Sequence, residues 1–156
     1  MPRADRIRQT GTFASHEDAN ASLAAPGDAA LVVRGIPRMA LLRCPCGCGD
    51  TLVLNLDRRA GPAWRLYSRG HTLSLYPSYW RDTKCESHFS VWNSRVLWCD
   101  WREDDPIWSR SSEIEERVLG ALPSQYVSYE DLAEQLQEIP WDVLQACYSL
   151  TRKKHA

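Results

Sequence analysis

Two short cysteine segments constrain this chain more than any other feature: Arg43 to Asp50, RCPCGCGD, and Lys84 to Phe89, KCESHF. Four of the six cysteines and one of the four histidines fall within them, with strand-like sequence in between. Zinc favours thiolate sulfur and imidazole nitrogen in a tetrahedron, and a structural site uses four such ligands. Cys44, Cys46 and Cys48 alternate with Pro45 and Gly47, and Gly49 follows. Small residues between ligands allow the tight turn that gathers sulfurs around one ion. The second segment adds Cys85 and His88. A chain that brings both segments to one Zn2+ ion is expected to contain a small β-domain that closes on itself.

Cys44, Cys46, Cys48, Cys85 and His88 are five candidate ligands for four positions. Either His88 binds with three of the cysteines, or the four cysteines complete the site and the histidine stands free at its edge. A closed site of either kind is structural by default, whereas a catalytic zinc keeps one position open for water. Core cysteines without a metal are the plain alternative, and Cys99 and Cys147, which stand apart, are read that way.

Of the 156 residues, 44% are hydrophobic, enough for one moderate core and a small second one but not for two full-sized domains. A formal net charge of -1 excludes a globally basic nucleic-acid binder. Residues 29–110 carry twelve Lys/Arg against eight Asp/Glu, and residues 111–156 carry four against eight. No run approaches the ~18 apolar residues that cross a bilayer, and the N-terminus lacks the apolar core of a signal peptide. A cytoplasmic protein without membrane contact is expected, and in that compartment clustered cysteines point to metal ligation rather than disulfides.

Residues 1–28 show almost no periodic apolar signal and read as a flexible tail, with a weak helix over His16 to Leu23. Residues 29–110 read as the β-rich metal-binding domain. Its expected strands are Leu31 to Val33, Met39 to Leu42, Thr51 to Leu56, Trp64 to Tyr67, Thr72 to Tyr76 ended by Pro77, His88 to Trp92, and Arg95 to Trp98. Six of the seven tryptophans fall here, and burial of large rings is preferred to a base-stacking surface. Residues 111–156 read as three short helices, winged-helix-like or a docking segment. A capping box at Ser112 and Glu115 opens the first, Ser128 opens the second, and the third spans Trp141 to Leu150 with Leu144, Cys147 and Tyr148 as its apolar face. The third helix offers Asp142 and Gln145 where a DNA reader needs basic residues, so nucleic acid is not an expected partner. The fold class is α+β: a small antiparallel β-rich zinc-binding domain followed by a short three-helix segment.

Three residues can carry chemistry beside the metal. Glu86 is a general base if the zinc keeps a water, and otherwise a solvated turn residue. Ser78 and Ser87 are nucleophiles if His88 or His71 comes within hydrogen-bond reach, and otherwise turn formers. Asp50 or Asp82 is available to orient such a histidine.

CPCGCG at Cys44 to Gly49, Pro77-Ser78, CESHF at Cys85 to Phe89 and the hairpin ending in Val96-Leu97-Trp98 together resemble an uncharacterised family of small bacterial zinc-binding proteins. Its members are found beside genes for ubiquitin-like proteins and their E1-like and E2-like conjugating enzymes. The resemblance covers roughly residues 30 to 100. It implies a metal-binding component of a bacterial ubiquitin-like pathway, linked to antiphage defence, that acts as a peptidase processing the modifier or removing it from targets. Its motif maps onto Cys44, Cys46, Cys48, Pro77, Ser78, Cys85, Ser87 and His88. Zinc-bound water and a serine are the two candidate nucleophiles. A non-catalytic zinc-stabilised adaptor that docks conjugation enzymes is the alternative, with a DNA-binding regulator third.

Overall fold

The computed structural model describes residues 2–82, 84–99 and 107–153, the side chains of 107–111 excepted. The chain divides into two units, Met1–Asp100 and Trp101–Ala156. In the first, two four-stranded sheets share one apolar core. One sheet runs in the order β1 (Arg8–Phe13), β2 (Asp28–Arg34), β3 (Ile36–Arg43), β4 (Thr51–Asn55). The other runs β5 (Arg65–Arg69), β6 (Thr72–Trp80), β7 (His88–Trp92), β8 (Arg95–Trp98). Every pairing is antiparallel except β1 with β2.

Period-two alternation decides which side chains meet. Ala29, Ala40, Leu42, Leu52 and Leu54 of the first sheet pack against Leu73, Leu75, Phe89, Val91 and Val96 of the second. The intervening residues Ala30, Val32 and Leu41 face the other way and are covered by Ala19 and Leu23, from and just after helix α1 (His16–Ala21). Among the tryptophans, Trp92 is buried and Trp64 and Trp98 pack on the core, as expected of burying rings, but Trp80 is exposed. Trp101 and Trp108 lie outside the described side chains.

The N-terminal region is not a tail. Residues 8–13 form β1, α1 follows on residues 16–21 where the weak helix was expected, and the pair makes a parallel crossover to β2. Asp28 fixes this crossover. Its buried carboxylate accepts from the amides of Ala24 and Ala25 (3.0 and 2.8 Å) and from the Arg8 guanidinium (2.8 and 3.0 Å). Burial pushes the Asp28 pKa up, but the Ala25 and Ala24 amides and Arg8 outweigh it and hold it below the ordinary value. Ahead of β1, Ala4 N–H donates to Pro45, Ile7 N–H to Ser94, and Asp5 accepts from Val96 N–H, which ties the first residues to both sheets.

A second difference concerns Pro77. The expected strand end there is instead a register shift between Leu75 and Tyr79, and β6 continues to Trp80. Proline is tolerated where the ladder is interrupted, because no N–H is needed at a bulge.

The second unit holds α2 (Ile107–Ala121), α3 (Tyr129–Leu136) and α4 (Pro140–Arg152), which bury Ile114, Val118, Leu132, Ala133, Val143, Ala146 and Leu150 together. Ser128 caps α3, its Oγ accepting from Asp131 N–H at 3.2 Å. Ser112 lies inside α2 rather than at its start. The buried face of α4 is turned from the expected one: Val143, Ala146 and Leu150 point inward with Cys147 beside them, and Tyr148 is exposed. None of the described helices is long and apolar enough to cross a membrane.

Candidate active site and thiolate cluster

The first cysteine segment is the loop between β3 and β4. Cys44 N–H donates to Asp50, Gly47 N–H turns back to the Cys44 carbonyl at 3.1 Å, and Gly47 and Gly49 both adopt positive φ. A side chain at either glycine would oppose that backbone, and the tightness gathers alternate residues on one side. The second segment turns at Lys84 and Glu86, which also take positive φ, and delivers Cys85 to the same point. The ligand atoms of Cys44, Cys46, Cys48 and Cys85 all lie within 4.8 Å of one another, a group that can hold a metal ion. Cys44 Sγ is 3.3 Å from Cys46 Sγ and 3.9 Å from Cys85 Sγ. Asp50 strengthens the closure by pairing with Arg81 at 2.8 Å and Lys84 at 3.1 Å.

The four thiols are electrostatically unequal. Burial pushes Cys44 far up, and it also raises Cys48. Cys85 is pushed up by burial too, yet the Ser87 hydroxyl and amide and the neighbouring thiols bring it down to about 6. A cation among these sulfurs favours ionisation of all of them.

His88, counted among the ligands from its spacing, stands outside this group of four. It opens β7, opposite Trp80 and diagonal to Ser78 across the β6–β7 pair, and its Nε2 lies 3.1 Å from Ser78 Oγ. Diagonal cross-strand neighbours come within reach of long side chains, and the continuation of β6 past Pro77 is what places Ser78 there. Trp80 also neighbours the imidazole, with 6.0 Å between ring centroids and the rings tilted by 37°. On the reverse face, Tyr79 and Phe89 pack on one another and Phe89 on Trp98, which anchors both strands in the core.

The two serines named from sequence therefore separate. Ser87 is buried, with its hydroxyl donating to Cys85 Sγ at 3.2 Å and accepting from Cys44 Sγ at 3.9 Å. It belongs to the sulfur cluster. Ser78 is half-buried and meets the histidine. Glu86 is an exposed turn residue, and His71 and Asp82 are likewise exposed. Asp50 is engaged by Arg81 and Lys84. Trp80 was not singled out from sequence, although the two-residue spacing from Ser78 places both on one strand face.

A histidine nitrogen in contact with a serine hydroxyl is an arrangement for nucleophilic catalysis, and four convergent thiols are an arrangement for a metal. No curated protein and no solved structure matches this chain. A family model does: bacterial ubiquitination-like system serine protease (BubE), over residues 15–99, a span that contains the four cysteines, Ser78 and His88. The chain belongs to this family.

Proposed function

We propose that Ser78 and His88 carry the serine protease chemistry of this family, and that the substrate is the ubiquitin-like modifier of the bacterial system, matured from its precursor or released from its targets. The observation that carries the reading is the 3.1 Å contact of Ser78 Oγ with His88 Nε2. His88 Nε2 takes the hydroxyl proton as Ser78 Oγ attacks the scissile carbonyl carbon. The imidazolium gives that proton to the departing amine as the C–N bond breaks, leaving an ester on Ser78. Water, deprotonated by the same nitrogen, then hydrolyses the ester and frees the serine. The modifier and its E1-like and E2-like enzymes are the partners this reading assigns.

The thiolate cluster fits a zinc ion held by Cys44, Cys46, Cys48 and Cys85. A tetrahedron with Zn–S bonds of about 2.3 Å has sulfurs about 3.8 Å apart, and the observed 3.3 and 3.9 Å lie on either side of that spacing. Bound there, zinc supplies a cross-link between the two loops. With four thiolates filling its corners no position is left for a water, which supports a structural role. His88 follows Cys85 by three residues, so the cross-link holds the start of β7 where the histidine meets Ser78.

The test uses the whole 156-residue chain, zinc-loaded, and the modifier carrying a C-terminal extension. Release of the extension is expected, with Ser78→Ala lowering kcat by about 10³-fold or more and leaving the metal content unchanged. Parental turnover by Ser78→Ala refutes the assignment.

A further inference from the structure

The strand that carries Ser78 also presents a large aromatic ring to solvent. Trp80 is 71% exposed. It shares a strand face with Ser78, and its indole lies against the His88 imidazole. A single exposed apolar side chain needs no explanation by itself. One that rests on the histidine of a Ser–His pair is differently placed, because a peptide within reach of Ser78 Oγ passes close to the indole.

The backbone of the same residues supplies a second, independent feature. Arg81 N–H donates to the Ser87 carbonyl, so in the regular pairing of Tyr79 with Phe89 and Trp80 with His88 the main-chain groups of Tyr79 and Arg81 face β7 and those of Trp80 face away from it. On that far side β5 stops at Arg65, opposite Tyr76, and among the described residues no strand pairs with Ser78–Trp80. An unpaired strand edge offers alternating donors and acceptors that match an extended chain and no other backbone form.

We propose that Trp80 is a substrate-contacting residue of the Ser78–His88 site, its indole holding the extended backbone beside the scissile bond against the open edge of β6. This rests on the reading of Ser78 as the nucleophile. The occupant is the extended C-terminal stretch of the modifier, which must be unfolded locally for its carbonyl to reach a serine on a strand.

The experiment compares parent, Trp80→Ala, Trp80→Phe and Ser78→Ala on two substrates: the modifier with its C-terminal extension, and a short peptide spanning only the cleaved bond. Expected for Trp80→Ala is a KM increase of about tenfold on both substrates with kcat within about twofold, and recovery of most of the loss in Trp80→Phe. An unchanged KM beside an inactive Ser78→Ala overturns the inference alone. A loss in kcat without a change in KM assigns Trp80 to positioning His88 and overturns it too. A KM effect on the folded modifier but not on the peptide places the contact on the modifier's globular body, against the proposal. Full turnover by Ser78→Ala removes the underlying reading and the inference with it.

Discussion

Ser87→Ala separates the two serines that flank this site in sequence. Ser87 is 3% exposed, and its hydroxyl donates to Cys85 Sγ at 3.2 Å. A hydrogen bond to a charged acceptor contributes about 1.5–3 kcal/mol net, and each 1.4 kcal/mol is about tenfold in an equilibrium constant. Loss of the Ser87 hydroxyl should therefore weaken zinc binding by about 10- to 100-fold, the usual effect of removing a group that hydrogen-bonds a metal ligand. Titration with a chromogenic chelator reads that change directly. At saturating zinc, kcat/KM should stay within about threefold of the parent, because Ser78 and His88 are untouched. A variant that keeps its metal at parental affinity but loses turnover by about 10³-fold would make Ser87 the nucleophile and refute this account.

His88→Ala should abolish cleavage while retaining stoichiometric zinc in metal analysis, since the four sulfurs gather without it; loss of metal would restore the three-thiolate, one-imidazole site. Asp28→Ala leaves the amides of Ala24 and Ala25 without their buried acceptor, at about 1–3 kcal/mol each, so denaturant unfolding should show a loss of about 3 kcal/mol. Because folding lowers the Asp28 pKa, its stabilisation is complete above the unfolded value of about 3.9 and fades as pH falls through the folded one. The gap between parent and Asp28→Ala should accordingly narrow below about pH 4, and a gap that widens in acid would contradict the hydrogen-bond assignment.

Most strands were legible because one side of each is buried. Leu52 and Leu54 alternate with outward residues such as the exposed Val53. β1 was not legible: RQTGTF has no apolar alternation, being an edge strand held by pairing with β2 and by the Arg8–Asp28 contact. The sulfur cluster could be read from spacing alone, since glycines and a short loop fix where Cys44, Cys46 and Cys48 can go. Which residue was surplus could not, nor which serine meets His88. Both depend on the β6–β7 register, and the shift between Leu75 and Tyr79 sets that register without a local sequence signal beyond Pro77. Helix α4 shows the same limit. Its length was readable, but the face it buries is chosen by α2 and α3.

The anchoring of the first residues has a consequence in time. Ile7 leaves the ribosome early, yet its partner Ser94 and the nearby Val96 are made far later. At about 5–20 residues per second the wait is roughly 4 to 17 s. Ser78 and His88 are both made within that interval, before the anchor can close. The N-terminal anchor can therefore close only after β7 and β8 have been made, so the two sheets of this unit are tied together late in its synthesis.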